Sequence, residues 1–144
     1  METKDWSLRH QILGIADSKS VTGCGNEYFY DEDFRLHWFG GVEAFTGLSV
    51  GAMNTLIELD FLKPDSIANG PHSAQKFLDF MKKYPMFTAI GYAVHPARRD
   101  VGIIIEGMET SADLDADAIE AFTAFSEGAD ELDIRWSYCR CWWD

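Results

Sequence analysis

The chain has 144 residues, of which 47% are hydrophobic, and its formal net charge is −12. This apolar content excludes an intrinsically disordered protein, and the length predicts one domain spanning residues 1–144. Because no apolar leader begins the chain and no apolar run approaches the roughly 18 residues of a membrane span, we expect a cytoplasmic protein without a membrane partner.

The acidic excess is concentrated in one segment of the chain. Between Asp100 and Ile134 there are eleven acidic residues and no Lys or Arg, whereas the remaining residues, thirteen acidic and twelve basic, nearly balance. Such a surface is a poor partner for the phosphates of nucleic acid and suits a basic protein or a cation. The alternative is a solvated helix face that keeps the protein soluble.

The first half of the chain contains patterns typical of helices and of a strand. Serine caps and apolar residues one helical turn apart favour the helices, and alternation of large apolar residues with polar ones favours the strand. The predicted elements are a helix over 4–17, a strand over Phe34–Phe39 ended by Gly40-Gly41, a helix over 49–62 capped by Ser49, and a helix from Ser73 to Lys83.

Residues 86–109 predict a β-hairpin around which the rest of the chain is organised. Two apolar runs flank the loop HPARRD, which is rich in charges and contains a proline. The predicted register pairs His95 with Val101, Ala93 with Ile103, Gly91 with Ile105 and Ala89 with Gly107. This face carries small residues, so we expect helices to pack against it. The second hairpin face is also largely apolar, and either the chain itself or a second copy in a homodimer should cover it.

The C-terminal part predicts a helix over 114–127 and one closing strand over 131–143. Together the patterns predict an α+β fold, with a mainly antiparallel sheet built around the hairpin and helices on at least one face.

The cysteines offer two site hypotheses. Cys24 lies in a loop and could act as a nucleophile if the fold brings His37 or His95 close enough to serve as a base. A small thiol-dependent enzyme or ligand-binding protein is therefore the alternative function. Cys139 and Cys141 could join Cys24 and a histidine in a zinc site, but zinc-binding cysteine pairs usually have two to four intervening residues. Buried free cysteines are the preferred interpretation, and we assign no metal or cofactor.

The acidic segment also contains the pattern Asp113-x-Asp115-x-Asp117, which is typical of the start of a calcium-binding loop. Such a loop needs Gly at its sixth position and Glu at its twelfth, where this chain has Ala118 and Ala124. The spacing therefore favours carboxylates at the start of a helix, where they interact with the helix dipole.

The sequence contains no convincing catalytic set, which favours a non-enzymatic protein-interaction module of the inhibitor or immunity type. We expect its acidic surface to bind a basic protein. The residues predicted to form this surface are Asp113, Asp115, Asp117, Glu120, Asp130, Glu131 and Asp133.

Overall fold

A computed structural model of the protein describes residues 6–13, 42–94 and 101–144. Within these ranges the chain forms helices on one side of a β-sheet. In chain order the elements are α1 (Trp6–Leu13), β1 (Val42–Leu48), α2 (Val50–Glu58), α3 (Ala74–Lys83), β2 (Thr88–Val94), β3 (Gly102–Thr110), α4 (Ala116–Phe125), β4 (Glu131–Arg135) and β5 (Tyr138–Trp142). The predicted strand Phe34–Phe39 lies outside the described residues.

The five strands form one sheet in the order β1-β2-β3-β5-β4, and each neighbouring pair is antiparallel. The predicted hairpin supplies β2 and β3, which lie near the centre of this sheet. The α+β class and the antiparallel sheet built around the hairpin are therefore confirmed.

The hairpin register is confirmed at the end nearest the loop and differs beyond a β-bulge. Ala93 pairs with Ile103 and Gly91 with Ile105 as predicted, but Ala89 pairs with Met108. Glu106 is the extra residue on β3. Because side chains alternate along a strand, one extra residue exchanges the two faces beyond it. The predicted pairing of Ala89 with Gly107, which would have placed Met108 on the second face, was therefore wrong, and Met108 is fully buried in the core.

The predicted packing of helices against the small face of the hairpin is also observed. Buried residues of β2 and β3 share one cluster with the apolar residues of the helices, because small side chains on the strands allow close approach. The cluster includes Ala89, Ala93, Ile103, Ile105, Met53, Leu56, Phe77, Met81 and Phe122.

The second hairpin face is partly buried by the chain itself. Ile90 and Val94 are each 4% exposed, although neither belongs to the main core cluster. Surface that is already buried within one chain contributes little to association with another. A homodimer through this face stays a prediction, with less apolar surface available than the sequence indicated.

Two helix starts agree with the predicted serine caps, whereas one predicted helix end was wrong. The side chains of Ser49 and Ser73 accept hydrogen bonds from the backbone amides of Ala52 and Lys76, each at 3.2 Å. Helix α2 ends at Glu58, several residues before the predicted end at residue 62. The chain leaves the helix there because Asp60 adopts a left-handed conformation, with φ of 64°.

Strand β1 was not predicted, since its buried residues do not alternate. Phe45 and Leu48 both face the core although they are three residues apart, because the register shifts between them. Gly47 lies within this irregularity and has a φ of 71°. A pattern search based on period two fails at such a position.

The predicted closing strand is a hairpin of two strands, β4 and β5, joined by a two-residue turn at Trp136 and Ser137. The turn contains none of the Gly, Asn or Asp residues that usually mark such turns. Because Arg135 pairs with Tyr138, Ile134 lies opposite Cys139. The face toward the core therefore consists of even-numbered residues on β4 and odd-numbered residues on β5. The prediction of one closing strand, which would have placed Ile134 and Tyr138 on one face, was therefore wrong.

Arg9 connects α1 to the sheet and is fully buried. Its Nη2 donates a hydrogen bond to the backbone oxygen of Val94, at 3.0 Å, near the loop end of the central hairpin. Burial lowers the pKa of Arg9 to about 10, since a low-dielectric environment disfavours the charged form. The guanidinium thus positions α1 at the edge of the core.

Candidate interaction surface

Four of the predicted acidic residues lie at the start of α4, and we call them the α4 carboxylates: Asp113, Asp115, Asp117 and Glu120. All four are exposed. Asp115 is the N-cap, and its Oδ1 accepts a hydrogen bond from the backbone amide of Ala118 at 2.9 Å. Unpaired amides and the helix dipole stabilise negative charge at this end of a helix. Within the described ranges, no basic side chain forms an ion pair with any of the four.

Asp117 contacts a residue at the end of a neighbouring helix. The Tyr84 hydroxyl donates a hydrogen bond to Asp117 Oδ2 at 3.1 Å, which joins the end of α3 to the first turn of α4. Burial of Tyr84 and the neighbouring charge of Asp117 both raise the pKa of Tyr84, because each disfavours the phenolate. The hydroxyl therefore remains a hydrogen-bond donor that fixes the position of α4.

An aromatic layer holds α4 against the rest of the protein. Phe122 is fully buried and stacks on Phe87, with ring centroids 5.1 Å apart and planes within 14°. Phe125 stacks on the ring of His72 at 3.9 Å, and His72 Nε2 donates a hydrogen bond to the Phe125 carbonyl oxygen at 2.8 Å. The α4 carboxylates therefore project from a helix that is packed on two aromatic side chains.

The remaining predicted acidic residues, Asp130, Glu131 and Asp133, lie at and just before β4. Each has a partner within the protein. Asp130 Oδ2 accepts a hydrogen bond from the backbone amide of Asp144 at 2.7 Å. Glu131 contacts Arg140 Nη1 at 2.6 Å, and Asp133 contacts Arg135 Nε at 2.9 Å. Glu131 and Asp133 are therefore ion-paired with arginines, whereas none of the α4 carboxylates is ion-paired among the described residues.

The C-terminal thiols face the core. Cys139 and Cys141 are fully buried, and Cys139 Sγ donates a hydrogen bond to the Arg135 carbonyl oxygen at 3.3 Å. Burial raises the pKa of both thiols, for Cys141 to about 12. Among residues 6–13, 42–94 and 101–144, no group of three His, Cys, Asp or Glu side chains could hold a metal ion. Cys24, His37 and His95 lie outside these ranges.

The raised thiol pKa values lead us to expect lower stability in alkaline solution. In the unfolded chain a thiol ionises near pH 9, whereas folded Cys141 keeps its proton until about pH 12. The unfolded state therefore binds fewer protons in this window, and the free energy of unfolding falls as pH rises. The expected loss is on the order of a few kcal/mol.

Urea unfolding measured at several pH values from neutral to strongly alkaline tests this expectation. Cys141→Ala is the comparison, because it removes the titrating thiol. The variant should be less stable near neutral pH but lose less stability on going to alkaline pH. Identical pH dependence in the two proteins would contradict burial as the cause.

Two open grooves lie beside the C-terminal hairpin and share Tyr138. One has a volume of about 490 Å³ and is lined by Met86, Thr88, Glu109 and Ser111, among others. The second, of about 520 Å³, lies over β4 and includes Arg140. Sequence reasoning missed Tyr138 as a surface residue here because its face depends on the unpredicted turn. Hydroxyls and charges in a shallow groove offer hydrogen bonds but little apolar burial for a small ligand.

Comparisons with protein-family models, curated proteins and solved structures find no match for this chain. None of the helices in the described ranges has the length and apolar character needed to cross a membrane.

Proposed function

We propose that this protein is a non-enzymatic cytoplasmic interaction module that binds a basic partner protein through the α4 carboxylates. The observation that carries the proposal is their exposure on a well-packed helix, without an ion-pair partner among the described residues. An inhibitor or immunity-type protein would use such a surface to bind a cationic site on its target.

The arginine ion pairs of two predicted carboxylates support a narrower binding surface than the sequence indicated. Glu131 and Asp133 already contact arginines, so a cationic partner would have to compete with those arginines. The α4 carboxylates have no such competitor in the described ranges, and their mutual repulsion decreases when a cation approaches. Long-range attraction would mainly accelerate association, and salt would weaken it.

Neutralising the α4 carboxylates tests the proposal. The variant carries Asp113→Asn, Asp115→Asn, Asp117→Asn and Glu120→Gln. We expect it to fold, because exposed charges at a helix start contribute only about 0.3–1 kcal/mol each. Asparagine also retains an oxygen for the cap and for Tyr84. Binding to a basic partner should weaken, with a lower association rate constant and a shallower salt dependence.

A matched control has the same change in net charge elsewhere on the surface: Glu58→Gln, Asp60→Asn, Asp65→Asn and Asp79→Asn. Proteins captured from native lysate at low and high salt should be identified with the wild type. The purified partner should then be measured against both variants. Equal binding by the two variants would overturn the role of α4. If the wild type captures nothing in a salt-sensitive manner, the thiol-based alternative at Cys24 becomes the better hypothesis.

A further inference from the structure

Strand β4 is the outermost strand of the described sheet, and half of its backbone groups point away from the sheet. The amide of Trp143 donates to the Glu106 carbonyl oxygen on β3 at 2.9 Å. Because successive residues of an antiparallel strand point in opposite directions, the even-numbered residues of β5 face β4. Their partners, the odd-numbered residues of β4, direct their own backbone N–H and C=O groups toward β5. Leu132 and Ile134 therefore direct their N–H and C=O groups outward.

The side chains along this edge separate by face. Leu132, 49% exposed, and Ile134 lie on the helix side of the sheet, and Trp136, 64% exposed, follows them in the turn. Asp133 and Arg135 alternate with these residues and form an exposed ion pair on the other side. An open strand edge with exposed apolar side chains favours pairing with another strand.

We propose that a second copy of this chain pairs antiparallel with β4, about a two-fold axis at Ile134. In this arrangement the two Ile134 residues exchange backbone hydrogen bonds, and Leu132 lies opposite Trp136 of the second copy. Asp133 lies opposite Arg135 of the second copy, and symmetry repeats both pairs. The edge is thus complementary to itself in both hydrophobicity and charge. This surface adjoins the α4 carboxylates, because the Leu114 amide donates a hydrogen bond to the Trp136 carbonyl oxygen at 2.8 Å. The inference does not rest on the proposed function.

The charges of Asp133 and Arg135 select the register of the proposed strand pair. If the axis lay one residue earlier, the two Asp133 side chains would face each other, and one residue later the two Arg135 side chains would do so. Like charges directly opposite destabilise a strand pair. Only the axis at Ile134 combines apolar pairs on one face with opposite charges on the other. Because the paired strands are short, we expect a dissociation constant in the micromolar range.

Charge reversal on this edge tests the proposal through sedimentation velocity over a concentration series. Asp133→Arg alone places two arginines opposite each other, and Arg135→Glu alone places two carboxylates opposite each other. Each variant should dimerise at least roughly tenfold more weakly than the wild type. In an equimolar mixture, however, every reversed charge meets its opposite across the interface. The mixture should therefore form a heterodimer of wild-type strength, although the internal Asp133–Arg135 pair remains broken in both chains.

Asp65→Arg, an exposed reversal away from the sheet, is the control and should dimerise like the wild type. Thermal unfolding confirms that all variants are folded. The proposal is overturned by a wild type that stays monomeric at all concentrations, by single variants that dimerise normally, or by a mixture that fails to associate. Normal dimerisation of the single variants would direct attention to another surface, such as the second hairpin face.

Discussion

Gly91→Val should destabilise the protein by about 3 kcal/mol or more, at the upper end of what overpacking costs. A Cβ atom at Gly91 would overlap the backbone carbonyl oxygen of Ile104, and the Cα of Ile105 would be only 3.2 Å away. Backbone atoms of a central strand cannot move aside as the end of a flexible side chain can. Relief of the overlap would therefore require separation of β2 from β3 at the bulge, with loss of hydrogen bonds in the centre of the sheet.

Urea unfolding of Gly91→Val and of the milder Gly91→Ala measures this effect, and both variants should be strongly destabilised. Gly51→Ala is the matched control, because a Cβ atom there meets nothing within 4 Å and alanine favours a helix. Its stability should equal or exceed that of the wild type. If Gly91→Ala unfolded at the same urea concentration as the wild type, the backbone of β3 could not lie where it does.

Phe122→Ala should lower the free energy of unfolding by about 3–5 kcal/mol, with a decrease in melting temperature on the order of 10 °C. The ring is fully buried between α4 and the remainder of the core, where it stacks on Phe87. Its removal loses apolar burial and leaves a cavity that the neighbouring rings cannot fill without leaving their positions. The variant also weakens the packing of α4, the helix from which the α4 carboxylates project.

Phe122→Leu is the comparison for Phe122→Ala. Leucine retains most of the side-chain volume, so this variant should lower the free energy of unfolding clearly less than the alanine variant. Ala124→Ser, at an exposed position of the same helix, should leave the unfolding transition nearly unchanged. Calorimetry of the three variants gives the order of the effects. Equal destabilisation by Phe122→Leu and Phe122→Ala would indicate that cavity formation is not the cause.

Neither of the contacts behind these two effects was identified from the sequence. The sequence predicted that Gly91 faces a closely packed helix, and it did predict the need for a small residue. The structure identifies the neighbouring backbone as that of β3. The stack of Phe122 on Phe87 joins residues far apart in the chain, and no local pattern indicates which aromatic rings meet.

The sequence by itself determined the features that depend on near neighbours along the chain. The Ser49 and Ser73 caps, the amphipathic helices and the central hairpin all follow from residues within a few positions of one another. The uneven charge distribution also follows directly from the order of the residues. These features are local because helix capping, helical periodicity and strand alternation are properties of short segments.

Only the tertiary structure decided which face each strand residue occupies and which acidic residues have internal partners. The extra residue at Glu106 moves Met108 into the core, and the turn at Trp136 returns the chain so that Arg140 meets Glu131. Bulges and turns without glycine are stabilised by pairing with distant strands rather than by local preference. Because side chains alternate with a period of two, a single such residue reverses the face of every position that follows.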